Sequence, residues 1–382
     1  MRISTSKLAI GCSLLAVLAT APAAFAAKSV LEIAIPAELS GSGATVGVLW
    51  RDGVMMGIED VNAKGGIRGH KLHGTAYDTQ TNPAVSRAVI QKALDGKPFA
   101  VLGPVYSGSV IVDEALTQKA GITEIMGGEA GNLTAQGDPT LFRTSLGQAQ
   151  TIPPLISYLK DTVHAKSVGA SYVNDDFGKA GNVLFMADAK KAGLNVTTDI
   201  SSEAGQVTFQ PDLLKMQAAK TDAIFLYDHE EEVARFLKGF RQMGMKAAIV
   251  GGSTVADAQA IKLSQGAADG AISFAGIASS SPLPAIQNFV KRFEAKYKTH
   301  PDHNAIKGYM AVAMLQAGVD KEGKASAKGL AAALHGLTIT PDKYPLIMTP
   351  MKVLANGDID NGGYLIQVKG GKAVVLKYVG PK

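Results

Sequence analysis

A regular alternation of short apolar runs and longer amphipathic segments is the feature that most constrains the fold. Apolar runs at residues 31–36, 72–77 and 99–102 predict strands, and residues 46–62 and 83–94 between them carry helical spacing. Repeated strand–helix–strand units predict parallel strands with helices on both faces of the sheet. The expected fold class is therefore α/β, and ligands of such sheets bind beyond the carboxyl ends of the strands.

The same alternation returns in the second half of the chain. Strands are predicted at residues 167–172, 195–200, 223–227 and 248–250, with helical segments between them. No low-complexity linker separates this set from the first one. Any boundary between two domains must therefore fall in short crossings of the chain and not in a tether.

Residues 1–26 have the pattern of a secretory signal peptide. Arg2 and Lys7 come first, residues 8–18 are apolar, and residues 24–26 are Ala-Phe-Ala, with small residues at the cleavage positions. We expect an exported, periplasmic protein, and no later segment has the length and apolar character of a membrane span. Cys12 is the only cysteine and lies in this segment, so the mature chain is expected to lack disulfides and thiol chemistry.

Charge and composition exclude two broad classes. The formal net charge of +5 falls to +3 when Arg2 and Lys7 are removed with the signal peptide. This mild excess, without any arginine-rich or lysine-rich run, gives no support for a nucleic-acid partner. With 46% apolar and 19% charged residues, the chain has the composition of a globular protein and not of a disordered one.

A turn rich in glycine and hydroxyl groups, at residues 103–109, is the first candidate site. It follows the predicted strand 99–102 and precedes a helical pattern at residues 110–120. The N-terminus of a helix presents free N–H groups and the positive end of the helix dipole, which together favour an anion such as a carboxylate. A purely structural turn of this composition is the alternative.

The other motifs are weaker evidence for a functional site. Residues 318–324 have the glycine and lysine spacing of a phosphate-binding loop, but Ala325 follows and no strand precedes, so we predict a solvated helix–helix turn. His70 with His73, and His300 with His303, lack a third ligand and are expected to be solvated or capping residues. We therefore predict no metal site, no cofactor and no serine nucleophile elbow. For His229, at a strand-to-helix turn, a site role and a capping role stay equally open.

Several segments together resemble the leucine/isoleucine/valine-binding proteins of ABC importers, which are periplasmic binding proteins of the type I fold. The resemblance covers essentially the whole mature chain. The segments that carry it are IAIPAELSG at 33–41, IEDVNAKGGIRG at 58–69, Tyr77-Asp78, Gly103-Pro104, Asp176-Phe177-Gly178 and residues 301–317.

The resemblance implies two doubly wound α/β lobes of parallel sheet, joined by three crossovers, that close on a ligand. Lobe one would comprise residues 27–148 with 277–352, and lobe two residues 149–276 with 353–382. It also implies an inner-membrane ABC permease as partner, no catalysis and a monomeric protein.

The resemblance also implies a set of ligand-binding positions. Ser107 and the backbone of Gly127 and Gly128 would hold a ligand carboxylate, with Ser109 as a further donor. Ser253 stands where the family has the glutamate that pairs with an amino acid's ammonium group, and Glu129 is the candidate replacement for it. The full predicted set is Val46, Tyr106, Ser107, Ser109, Gly127, Gly128, Glu129, Phe177, His229 and Ser253.

Three of these residues, Val46, Tyr106 and Phe177, would form an apolar wall against the ligand body. We therefore predict a small carboxylate-bearing solute, with a hydrophobic or branched-chain amino acid favoured. An aromatic carboxylic acid or a small amide is the alternative ligand, because the glutamate is missing at Ser253. A secreted hydrolase is the competing class of protein.

Overall fold

The computed structural model describes residue 1 and residues 29–380. The predicted signal peptide at residues 1–26 lies almost wholly outside the described residues. Two large sheets dominate the fold, and a third sheet has three short strands. The strands are β1 Leu31–Ala37, β2 Leu72–Asp78, β3 Ala100–Leu102, β4 Glu124–Met126, β5 Leu141–Arg143, β6 Ser167–Val173, β7 Asn195–Ser202, β8 Ala223–Tyr227, β9 Ala248–Gly251, β10 Ile272–Ala275, β11 Thr338–Ile339, β12 Met351–Val353, β13 Ile359–Asp360, β14 Gly363–Lys369 and β15 Lys372–Val379.

The helices alternate with the strands as predicted. They are α1 Ala44–Ala63, α2 Pro83–Asp95, α3 Ser107–Ala120, α4 Gln148–Asp161, α5 Asp176–Ala192, α6 Gln210–Ala218, α7 Glu230–Gln242, α8 Ala258–Ser264, α9 Pro284–Tyr297, α10 His303–Glu322 and α11 Ala327–Leu334, with a 3₁₀ turn at Ser253–Ala256. No helix within residues 29–380 combines the length and apolar character that crossing a bilayer requires.

Both large sheets repeat one winding pattern. The first has the order β2-β1-β3-β4-β5, and the second continues the equivalent order β7-β6-β8-β9-β10 with β14 and β15. Strands β1 to β5 are parallel, as are β6 to β10, whereas β14 and β15 pair antiparallel. The α/β fold class with parallel sheets flanked by helices is therefore confirmed. The antiparallel hairpin is an addition that the sequence analysis missed.

The cores show where the chain crosses between the sheets. Apolar residues of α1, α9 and α10 pack in one cluster with the first sheet, whereas β14 joins the clusters of the second sheet. Val353 and Ile359 belong to the first cluster, so the last crossing falls between β13 and β14, later than the predicted boundary at residue 353. The lobe boundaries remain a prediction, with the last one moved from residue 353 to the segment between β13 and β14.

The interpretation of residues 318–324 as a solvated turn is wrong. These residues continue α10 through Glu322, and Gly323, with φ of +85°, ends the helix. Gly318 is buried against α11, where a Cβ would lie 2.6 Å from Leu330 Cδ1. Gly318 is therefore needed for the packing of α10 against α11. Lys324 follows Gly323, which is the C-cap of α10.

Helix α10 packs closely against α1. This contact places the polar N-terminal turns of α10 beside the carboxyl ends of the strands of the first sheet. A Cβ on Gly53 would lie 2.0 Å from Ala305 O, and one on Gly308 would lie 2.4 Å from Trp50 O. Backbones can approach this closely only where glycine removes the side chain. The first two turns of α10, which carry His303 and Lys307, are held in place by this packing.

Candidate functional site

Two adjoining cavities lie at the carboxyl ends of the strands, between the two large sheets. The inner cavity has a volume of about 40 Å³ and the outer cavity about 170 Å³. They share Val46, Tyr106, His229 and Glu230 in their walls. Eight of the ten predicted residues line the inner cavity, namely Val46, Tyr106, Ser107, Gly127, Glu129, Phe177, His229 and Ser253. Ser109 lines only the outer cavity, and Gly128 is not part of either wall.

The turn after β3 brings a helix N-terminus to the inner cavity. Helix α3 begins at Ser107, three residues earlier than predicted, and Tyr106 is its N-cap without a side-chain cap hydrogen bond. Buried Glu38 holds the turn by accepting from Tyr106 N at 3.1 Å, and burial raises the pKa of Glu38 to about 6 despite such bonds. Ser107 Oγ accepts from Ala130 N at 3.3 Å, which leaves its hydroxyl hydrogen to donate. The start of α3 thus lies at the inner cavity with the Ser107 hydroxyl as a donor, and its role as an anion cradle remains a prediction.

The backbone groups of the two glycines make contacts within the protein, and a role in holding a carboxylate remains a prediction for Gly128. Gly127 N donates to Pro104 O at 2.9 Å, so its N–H is already engaged and cannot hold a carboxylate. Gly128 O accepts from Arg143 Nη1 at 2.9 Å, and Arg143 Nη2 donates to Ala130 O at 3.0 Å. Arg143 is 1% exposed and pairs with Asp358, so this buried cation fixes the loop that carries Glu129. The sequence analysis gave Arg143 no role.

Glu129 lies in the cleft as predicted, but the protein itself satisfies its charge. Its Oε1 accepts from Lys307 Nζ at 3.1 Å, and its Oε2 accepts from Ser253 Oγ at 3.1 Å. Burial alone would raise the pKa of Glu129, but the charges of Lys307 and His303 and these hydrogen bonds outweigh burial and lower it. Glu129 is therefore an ionised carboxylate with both oxygens engaged.

Lys307 and His303 are the cleft residues that the sequence analysis missed. His303 was expected to be solvated or capping, yet it is 8% exposed, with Nε2 at 3.8 Å from Glu129 Oε1 and Nδ1 at 3.6 Å from Asp257 Oδ2. Burial opposes the charged imidazolium, but Asp257 and then Asp302 and Glu129 raise the pKa of His303. A lone lysine within the apolar run of α10 was the available signal for Lys307.

Within residues 29–380, Asp257, Asp302 and His303 offer metal-ligand atoms that lie within 4.8 Å of one another. Both carboxylates already act as helix N-caps. Asp257 accepts from Gln259 N at 2.7 Å, and Asp302 accepts from Ala305 N at 2.8 Å. Helix capping therefore accounts for the presence of both acids at these positions. The absence of a metal site remains a prediction.

His229 lies where the two sheets meet. Its ring stacks on Tyr106, with centroids 4.5 Å apart, and on Phe177, with centroids 5.3 Å apart. Its Nε2 donates to Asp175 Oδ2 at 2.7 Å. Burial opposes the charged form, but the hydrogen bond and charge of Asp175 raise the pKa of His229 to about 9. The histidine is thus a cation in the wall shared by both cavities at neutral pH.

Two wound α/β sheets that enclose a cavity at their strand ends are the architecture of a two-lobed solute-binding protein. The chain belongs to the periplasmic binding protein family, whose model matches residues 30–373. The Leu/Ile/Val/Thr/Ala-binding protein of Pseudomonas aeruginosa is 24% identical over 314 residues, 82% of this chain and 84% of the relative. The Leu/Ile/Val/Thr-binding protein of Salmonella typhimurium is 24% identical over 330 residues, 86% and 88% of the two chains.

Solved structures show the same fold. The branched-chain amino acid transporter substrate binding protein LivJ of Streptococcus pneumoniae, in complex with isoleucine, superposes with a TM-score of 0.82 at 22% identity. The alignment covers 92% of this chain and 100% of that one. A solute binding protein of an ABC transporter from R. palustris, in complex with benzoate, has a TM-score of 0.82 at 24% identity, covering 92% and 97%. The predicted membership of this family is confirmed.

Proposed function

We propose that this periplasmic binding protein serves an ABC importer by holding a small carboxylate-bearing solute in the inner cavity. The observation that carries the proposal is a pair of hydrogen-bond donors in the wall of that cavity. The Ser107 hydroxyl hydrogen is left to donate, and Lys307 has a third N–H beyond those that it donates to Glu129 and Asn304. A ligand carboxylate accepts from both donors, and its bond to Lys307 is charge-assisted.

The proposed contacts for the carboxylate are the Ser107 hydroxyl, the N-terminus of α3 and Lys307. Each charge-assisted hydrogen bond of this kind contributes about 1.5–3 kcal/mol. The predicted apolar wall of Val46, Tyr106 and Phe177 favours an aliphatic or aromatic body over a sugar. Gly127 is retained as a wall residue and not as a donor, because its N–H is bonded to Pro104.

The names of relatives define the ligand classes to test. Curated relatives bind leucine, isoleucine, valine, threonine and alanine, and one protein of the same fold was solved with benzoate. Both classes carry a carboxylate, and they differ in the α-amino group. We propose an amino acid or a des-amino carboxylic acid of this size, and a small amide as the weaker alternative.

The remaining features of the proposal combine the role of the family with the predicted signal peptide and the predicted monomeric state. The partner is an inner-membrane ABC permease, the protein acts in the periplasm after removal of residues 1–26, and it is a monomer that performs no chemical step. Relatives are solute-binding proteins, which supports binding over the competing hydrolase function.

Calorimetry with a panel of amino acids, aromatic acids, aliphatic acids, amides and sugars tests the proposal. We expect micromolar or tighter binding within the carboxylate classes, because two or three charge-assisted bonds act together in a buried site. Product analysis of the same mixtures serves as the control for chemistry. Tight binding of uncharged sugars alone, or turnover of any panel member at enzymatic rates, would overturn the proposal.

A further inference from the structure

Lys307 is a buried cation at the polar end of the inner cavity. Its side chain is 1% exposed, and its Nζ donates to Glu129 Oε1 at 3.1 Å and to Asn304 Oδ1 at 3.0 Å. An ammonium group has three N–H donors, so one remains for the cavity that Lys307 lines.

The carboxylate of Glu129 is fully engaged by the protein. Lys307 occupies Oε1, Ser253 occupies Oε2, and His303 Nε2 lies 3.8 Å from Oε1. An α-ammonium group placed on this carboxylate would lie beside cations that are already there. Repulsion between like charges is strong where water is excluded, so Glu129 is a poor partner for a ligand amine.

Glu230 is the other carboxyl group in the wall of the inner cavity. It is 7% exposed, and burial followed by the charge of Asp257 raises its pKa to about 7. Because the carboxyl is then half protonated near neutral pH, it holds an ammonium group less well than an ionised carboxylate does. Neither acid of the inner cavity thus offers a free negative charge for an amine.

We propose that Lys307 supplies the positive charge that a ligand amine would otherwise bring, so that the site selects small monocarboxylates without an α-amino group. This inference rests on the proposed function and narrows its ligand class. The ligand carboxylate accepts from the third N–H of Lys307 and from the Ser107 hydroxyl. The apolar body then extends along Tyr106 and Phe177 toward the outer cavity.

Matched ligand pairs that differ only in the α-amino group test the inference by calorimetry at pH 7.5. The pairs are leucine with 4-methylpentanoate and phenylalanine with 3-phenylpropanoate, and benzoate is a further des-amino ligand. We expect the des-amino member to bind at least about 100-fold more tightly, because the ammonium group must be desolvated without a free partner. Equal affinity within a pair, or tighter binding of the amino acid, overturns the inference.

Variants of the ion pair show whether Lys307 is the cause. In Lys307→Met, Glu129 becomes free, so the preference for the des-amino member should fall at least about tenfold. Lys321→Met, an exposed lysine on the same helix, should leave the preference unchanged. Glu129→Gln keeps Lys307 and removes the negative charge that competes with the ligand carboxylate for it, so des-amino binding should tighten, which gives a second readout if Lys307→Met fails to fold. An unchanged preference in folded Lys307→Met, or loss of des-amino binding in Glu129→Gln, contradicts the inference.

Failure of the inference is distinct from failure of the proposed function. Amino acids that bind tightly, and lose affinity in Glu230→Gln, would assign the amine to Glu230 and leave a carboxylate-binding protein. If no carboxylate of either class binds while an amide or sugar does, the proposed function itself fails.

Discussion

The His229–Asp175 pair makes a sharp prediction about charge in the cleft. Asp175 is also the N-cap of α5, where its Oδ1 accepts from Gly178 N at 2.9 Å while Oδ2 contacts His229. Asparagine caps helices as well as aspartate does, so Asp175→Asn keeps the cap and removes the charge. The pKa of His229 should then fall from about 9 by about 1–2 units, because burial persists without its counter-ion.

The magnitude follows from linkage. The pKa of His229 is raised from 6.5 to about 9, so its contribution to stability is fully present below pH 6.5 and is lost as pH rises through 9. The shift of 2.5 units corresponds to about 3 kcal/mol at 1.36 kcal/mol per unit. Wild-type protein should therefore lose about 3 kcal/mol of unfolding free energy from this group between pH 6 and pH 10.

Two assays check the prediction. NMR titration of the seven histidines, with His229 assigned by its loss in His229→Gln, reports the pKa directly. Urea denaturation across pH 6–10 reports the stability, and both variants should flatten its pH dependence. His300→Gln is the control, because His300 contacts Glu294 at the same 2.7 Å on the surface, where ion pairs contribute little. A wild-type pKa near 6.5, or one that Asp175→Asn leaves unchanged, would refute the reasoning.

Two further predictions concern buried charge in the first sheet's half of the protein. Burial raises the pKa of Asp113 to about 8, although the hydrogen bond from Ser86 acts in the opposite direction. The contribution of Asp113 to the unfolding free energy of the wild type is therefore fully present below pH 3.8 and is lost as pH rises through 8. Asp113→Asn should therefore be nearly neutral at pH 4 and stabilising by about 5 kcal/mol at pH 8, with exposed Asp161→Asn as the control. Equal effects at both pH values in urea denaturation would count against this prediction. Arg143→Met should lower the unfolding free energy by about 3–5 kcal/mol, because it leaves Asp358 and two loop carbonyls without their buried partner. A loss below 1 kcal/mol in the same assay, which is the scale of exposed pairs, would mean that the loop does not depend on Arg143.

Local signals predicted the elements that local chemistry determines. The start of α2 was predicted at residue 83, and the side chain of Asn82 caps the helix there by accepting from Ala84 N at 2.9 Å. The start of α3 was placed three residues late, because Ser107, Gly108 and Ser109 have low helix propensity and tertiary contacts override it. The missed hairpin of β14 and β15 carried a signal in Gly370-Gly371 between two alternating runs.

The ionic part of the site could not be predicted from local patterns. Lys307 and Glu129 are 178 residues apart, and only the packing of α10 against α1 and the loop after β4 brings them together. The resemblance placed Glu129 and Ser253 in one site, and their hydrogen bond at 3.1 Å agrees with that. The partner of Glu129 was expected to be the ligand, and the structure supplies a lysine instead.

The most direct test of the account is a crystal structure with the carboxylate that binds most tightly in the calorimetric panel. We expect the ligand in the inner cavity, with its carboxylate oxygens within hydrogen-bond distance of Ser107 Oγ and Lys307 Nζ and its body against Tyr106 and Phe177. A ligand whose carboxylate contacts neither Ser107 nor Lys307, or that lies outside the two cavities, would contradict the account.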